Sequence, residues 1–295
     1  EEISRREQEL MEGTSMPTTS NDFERLIASS PNNSFVWISY MTNQIQLMEF
    51  DVARSVAERG LKKIHFREEE ERMNVWVAYL NLEHVYGDDT SFDTLYKRAT
   101  KNNDRLKLNL RLCGAMQKSK AYTKCRSIYV KMLKKHGSTE PTVWIKYARY
   151  LHETRDVRKK KGGTDVTPRE VLKDALKRLD KSVHIEVITK FAQMEFGHGG
   201  AEYGRTTYEG VISSYPKRLD VWNMYLDQEI KVNENGGRRV RQLFERMITL
   251  KLSSKKMQFV FKKYLSYEAK EGTVKKQERV KELAREWVAR KAAEE

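Results

Sequence analysis

Two cysteines in 295 residues leave little room for sulfur chemistry. Cys113 and Cys125 stand in helical patterns without a CxxC or Cys/His spacing, which speaks against a disulfide framework or a zinc site and fits a reducing compartment. Prolines are also scarce, five in all, and none interrupts a helical pattern. Pro17 falls in a leader, Pro31, Pro141 and Pro216 precede helices, and Pro168 starts one, as an all-α chain requires. No run approaches about 18 apolar residues and no signal peptide follows Glu1, so neither membrane insertion nor secretion is expected. The chain begins without Met and reads as a piece of something longer. His65, His84, His136, His152, His184 and His198 form no metal-ligand spacing, and there is no Gly-rich phosphate loop or nucleophile elbow. These absences predict a non-enzymatic protein with no metal, no cofactor and no small-molecule substrate.

What is present is a recurrence. In VWNMYLDQE, residues 221–229, Trp222, Tyr225 and Glu229 are three and then four apart and share one stripe of a helix. The frame returns at Trp76, Tyr79 and Glu83, and at Trp37 and Tyr40, where Gln44 replaces the acid. It returns again at Trp144 and Tyr147 with Leu151, at Ile188, Phe191 and Glu195, and at Phe261, Tyr264 and Glu268. A weak copy reads Leu110, Cys113, Gln117. The seven anchors lie 34 to 44 residues apart, the mark of a helical-hairpin array in which no unit buries its apolar face alone. The expected fold is therefore all-α: an α-solenoid of about seven HAT/TPR-like hairpins forming a right-handed superhelix. Residues 1–21 read as leader and 22–295 as one domain, with an insertion at about 153–166. Thr167, Pro168 and Glu170 restart a helix there as N-cap, N1 and N3.

Charge is uneven. The chain carries +14, yet residues 1–96 hold 9 Lys/Arg against 18 Asp/Glu, and residues 97–135 hold 13 against the single Asp104. An acidic first third and a basic middle should meet different partners. Lys118, Lys120, Lys124, Arg126, Lys131, Lys134 and Lys135 lie on and before one predicted helix, with Lys120, Lys124, Lys131 and Lys135 near one face, and read as a phosphate-binding surface. Arg158, Lys159, Lys160 and Lys161 in the insertion read either as an RNA contact or localisation patch or as a solvated loop. The Trp and Tyr anchors are assigned to the core rather than to base stacking because their frame repeats with the apolar pattern. The recurring acids pair naturally with a second-helix arginine, at Arg54, Arg126, Arg205 and Arg241. A pattern met once per unit is structural, whereas an active site is built once.

A first helix with W-x-x-Y-x-x-x-E and a second helix opening on a small residue and Arg is similar to the HAT (half-a-TPR) repeat, a family associated with RNA-processing complexes. Unit two departs from it, with Phe92-Asp93. The longer strings DFERLIASSPNNSFVWISYM, LKKIHFREEEERMNVWVAYLNLE, HIEVITKFAQMEFGHG and PKRLDVWNMYLDQE resemble the carboxy-terminal repeat region of the ribosomal RNA processing protein five family, called programmed cell death protein eleven in animals. That resemblance implies a nuclear, nucleolar scaffold of ribosome biogenesis. It would bind preribosomal assembly factors and precursor ribosomal RNA or snoRNA during small-subunit, and large-subunit, processing. The alternative is a purely protein-binding repeat module of another complex, such as polyadenylation or splicing HAT proteins.

Overall fold

The computed structural model describes residues 17, 19–154, 166–198, 200–232 and 234–294. Among them are fifteen α-helices, two short 3-10 turns and no strand. The chain divides into two compact units, residues 1–136 and 137–295. In the first, α1 (Ser20–Ser29) precedes the hairpins α2 (Ser34–Gln46) with α3 (Phe50–Lys63), α4 (Glu69–Tyr86) with α5 (Asp89–Asn102), and α6 (Arg105–Lys118) with α7 (Tyr122–His136). The second holds α8 (Pro141–Glu153) with α9 (Pro168–Arg178), α10 (His184–His198) with α11 (Ala201–Ser214), α12 (Leu219–Val232) with α13 (Arg238–Ile248), and α14 (Ser254–Glu271) with α15 (Val274–Glu294). The expected all-α array of hairpins is thus the fold.

Local chemistry sets the helix starts. Capping boxes open α1 at Thr19 with Asp22, α5 at Asp88 with Ser91 and α9 at Thr167 with Glu170, each satisfying backbone donors that the first turn leaves unpaired. Three proline- or glycine-bearing loops do a second job. The indole N–H of Trp37 donates to the Pro31 carbonyl at 2.9 Å, Trp144 to Gly137 at 2.8 Å and Trp222 to Pro216 at 2.9 Å. Each tryptophan thereby ties its helix to the loop that enters it, while its rings are almost wholly buried. A buried aromatic side chain of this size removes about 150 to 250 Å² from water, an upper bound of roughly 4 to 6 kcal/mol.

Within each unit a first helix packs on its own second helix and on the next first helix, giving two layers with the frame residues between them. The frame tyrosine meets an aromatic from the preceding second helix: Phe23 on Tyr40 at 4.9 Å, Tyr208 on Tyr225 at 5.0 Å, Phe244 on Tyr264 at 4.5 Å, all nearly parallel. Thus α1 acts as the second helix of a half-unit ahead of the first full hairpin.

Two readings of the sequence are corrected. In the third hairpin the frame is Asn109, Leu112 and Met116, one residue earlier than Leu110, Cys113 and Gln117. Asn109, Leu112 and Met116 are buried, while Leu110 and Gln117 are half-exposed. The tryptophan position holds a polar residue that an apolar scan passes over; its amide oxygen accepts from the Tyr96 hydroxyl at 2.8 Å. On α3, where the apolar spacing suggests a stripe of Val52, Val56, Ala57, Leu61 and Ile64, the helix buries Ala53, Val56, Ala57, Gly60 and Leu61, and Val52 is 40% exposed. The insertion and most of the leader lie outside the described residues. The corrected register makes a prediction: in urea unfolding, Leu112→Ala costs about 2 to 5 kcal/mol, whereas Leu110→Ala costs less than about 1 kcal/mol.

Candidate partner-binding surfaces

Two ion-pair ladders cross the repeats, and they decide which charges remain for a partner. The first joins an arginine near the start of a second helix to the frame acid of the next hairpin. Arg54 donates to Glu83 at 2.7 Å, Arg205 to Glu229 at 2.6 Å and Arg241 to Glu268 at 2.6 Å, each through two guanidinium nitrogens. Glu83, Glu229 and Glu268 are at most 4% exposed. Arg169 stands 3.8 Å from Glu195 and takes the same place at the start of α9; it was not among the arginines picked out from the sequence, because α9 opens on Pro168 rather than on a small residue. Donating to Glu83 raises the pKa of Arg54, and donating to Glu268 raises that of Arg241. These groups are committed to one another. Arg126, at the same place on α7, makes no ion pair among the described residues.

Glycine at the following turn belongs to the same device. A Cβ on Gly87 would collide with the Glu83 carboxylate, and one on Gly272 with that of Glu268. Hairpins whose frame ends without an acid turn differently. Met48 and Lys120 adopt the left-handed conformation, with φ of 63° and 59°. The Glu49 and Ala121 N–H groups reach back to the Gln44 and Met116 carbonyls at 2.9 and 2.8 Å, the Schellman arrangement.

The second ladder lies on the outer face. Arg59 donates to Glu24 at 2.8 and 2.7 Å, Arg98 to Glu58 at 2.8 and 3.0 Å, and Arg246 to Glu209 at 2.8 and 2.9 Å. The same three guanidinium groups sit 5.8, 5.5 and 5.3 Å from the ring centres of Trp37, Trp76 and Trp222. Sequence reasoning missed this ladder. Its signal is a Glu four residues and an Arg five residues past the first-ladder position, as in Arg54, Glu58, Arg59, and it is visible only once the helices are stacked.

These ladders change the reading of the basic middle. Arg98 is held by Glu58, Lys107 and Arg111 by Glu70, and Lys124 by Asp89 at 2.7 Å, with its ammonium 4.7 Å from the Phe92 ring centre. The acidic third and the basic middle therefore meet each other in part. Lys120 precedes α7 and does not share its face. Lys131, Lys134 and Lys135 are exposed along α7, Lys118 is exposed at the end of α6, and Arg126 is half-buried. Arg158, Lys159, Lys160 and Lys161 lie outside the described residues.

The second ladder does not run through every hairpin: Lys173 and Gly210 hold its positions on α9 and α11, and on α5 and α7 two cations do. The positions that hold Glu58 opposite Arg98, and Glu209 opposite Arg246, are occupied between the second and third hairpins by Lys97 and Lys131. Both are exposed and neither makes an ion pair among the described residues. Lys101 on α5 and Lys134 and Lys135 on α7 are exposed as well, and Asp93, one turn before Lys97, lines a small cleft with Lys124 and Lys131.

A family model described as Suppressor of forked protein (Suf) matches residues 73–294. The chain belongs to the Suf family. Over 292 residues, 99% of its length, this Suf chain is 42% identical to the Protein RRP5 homolog of Mus musculus. It is 41% identical over 95% of its length to the rRNA biogenesis protein rrp5 of Schizosaccharomyces pombe, and 33% identical over 92% to the RRP5 protein of Drosophila melanogaster. It spans only 15 to 18% of those relatives' lengths. The resemblance carried by PKRLDVWNMYLDQE and its companion strings agrees with these matches.

The outer ladder also fixes a pH dependence. Arg59 holds the Glu24 carboxyl, and Arg98 the Glu58 carboxyl, below the ordinary glutamate range. A depressed carboxyl stabilises the fold above its unfolded pKa of about 4.3, and that contribution disappears as pH falls through the folded value. Glu24→Gln with Glu58→Gln should lower urea stability at pH 7 by about 0.5 to 1 kcal/mol per pair and lose the difference near pH 3.

Proposed function

We propose that the chain is a non-enzymatic scaffold in ribosomal RNA biogenesis, acting in the nucleolus, that holds preribosomal proteins and touches precursor ribosomal RNA or snoRNA through the outer face of its second and third hairpins. Its relatives are named for rRNA biogenesis. The observation that carries the RNA contact is the replacement of a Glu–Arg rung by Lys97 and Lys131. Like charges at adjoining positions cost free energy in the free protein, and a phosphate placed between them removes that cost. Lys101, Lys134 and Lys135 extend the row along the two helices, the arrangement that follows a sugar–phosphate backbone without reading sequence.

The non-enzymatic part of this reading rests on the acids themselves. Glu83, Glu195, Glu229 and Glu268 recur at one frame position in four hairpins and each faces an arginine, so none is positioned as a lone acid or base. Among the described residues no three His, Cys, Asp or Glu side chains come together as a metal site.

The test is the salt dependence of binding to a structured precursor-rRNA fragment. Changing Lys97, Lys131, Lys134 and Lys135 to Gln should weaken binding uniformly across RNA sequences and lower the log–log salt slope by about 3. Unchanged RNA affinity in that variant, with loss of a bound acidic protein tail instead, would overturn the RNA contact and favour a module that binds protein alone.

A further inference from the structure

The turn edge of the first two hairpins is unlike the rest of the surface. Leu47 and Met48, which close α2 onto α3, are 60% and 70% exposed. Beside them Phe50 stacks on Tyr86 at 4.5 Å. That stack ties the start of α3 to the end of α4, so the exposed Val52, Val85 and Tyr86 continue the patch across both hairpins. An open groove of about 810 Å³ runs on from Tyr86 past Arg54, Leu95 and Arg98.

Met48 is the telling residue. Its left-handed backbone, φ 63°, costs an L-residue about 1 kcal/mol that glycine avoids. Its exposed side chain returns nothing to the core. Folding alone favours glycine here, and a large flexible apolar group stands in its place, the kind of side chain that adapts to a partner's surface. The rim supplies the charge rule. Glu49, Asp51, Asp88 and Asp89 surround the patch, and the Asp51 and Asp89 side chains are 97% and 87% exposed. Two of these acids hold cations, Asp51 with Arg54 and Asp89 with Lys124, but Arg54 also meets Glu83 and Arg98 meets Glu58, so carboxylates outnumber cations along this edge.

We propose that this edge docks a short segment of a partner protein that carries apolar side chains next to Lys or Arg. The acidic rim repels phosphate, so nucleic acid is the wrong occupant. The proposal rests on the scaffold reading only in requiring that protein partners exist, and it uses a surface separate from the lysine row on α5 and α7.

The experiment probes an array of short peptides of varied apolar and charge content with the labelled chain. Wild type should select peptides with Leu, Ile or Phe beside Lys or Arg. Leu47→Ser with Met48→Gly should bind the selected peptides about tenfold more weakly, with an equal or higher urea midpoint and unaltered affinity for the precursor-rRNA fragment. Equal binding by that variant, or selection of acidic peptides, would overturn the proposal. So would sedimentation showing a wild-type dimer that the variant converts to monomer, since a second copy would then be the occupant. A chain that selects basic apolar peptides yet ignores rRNA would sink the RNA contact and leave the docking edge standing.

Discussion

A carboxylate buried at the end of a first helix finds no cation in its own hairpin; the guanidinium comes from the hairpin before it. Glu229 and Arg205 show the constraint at its strongest, with side chains 1% and 5% exposed and bonds of 2.6 and 3.1 Å. Removing one member of such a pair leaves the other charge buried, at a cost of about 3 to 5 kcal/mol. Aromatic stacking follows the same rule at Tyr40, Tyr225 and Tyr264, each of which lies against a ring from the preceding second helix. Apolar and ionic contacts therefore both run between neighbouring hairpins, and stability within each unit is a sum over neighbours rather than over isolated hairpins.

The same rule explains what could be read from the chain alone. Trp37, Trp76, Trp144 and Trp222 announce their helices because each is followed by a tyrosine three residues on, and Trp76 and Trp222 by an acid four further, the spacing of one helical stripe. The third hairpin has none of those residues, and with Asn109 in the tryptophan position two registers fit the apolar pattern equally well. The outer ladder was illegible for another reason. Glu58 and Arg98 are 40 residues apart, and nothing in a local pattern says which turn of one second helix meets which turn of the next. Charge counting failed similarly: an excess of acid in the first third and of base in the middle does not reveal that Glu58, Glu70 and Asp89 accept from Arg98, Lys107, Arg111 and Lys124.

Once those pairs are subtracted, the surface of the first unit sorts into two chemistries. The outer faces of α5 and α7 keep Lys97, Lys101, Lys131, Lys134 and Lys135, while the turn edge of the first two hairpins keeps Glu49 and Asp88, with Asp51 and Asp89 in exposed ion pairs, around exposed apolar groups. Against the Glu–Arg rungs the lysine row stands out in charge, and of the two left-handed turns at Met48 and Lys120 the first alone carries a large apolar side chain.

The frame acid and the glycine four residues on have a consequence for how such a chain changes over time. Glu83 requires Gly87, and Glu268 requires Gly272, because the carboxylate fills the space of a Cβ. Gln44 and Met116 instead precede a left-handed turn that accepts Met48 and Lys120. Moving a hairpin from one arrangement to the other takes two substitutions. A side chain introduced first at the glycine displaces the buried acid from its arginine. An acid introduced first meets the wrong turn. At these two hairpins each half of the exchange is penalised alone, whereas Glu229, four residues before Asn233, keeps its arginine without a glycine, so the coupling belongs to the Glu83 and Glu268 turns and not to every frame acid.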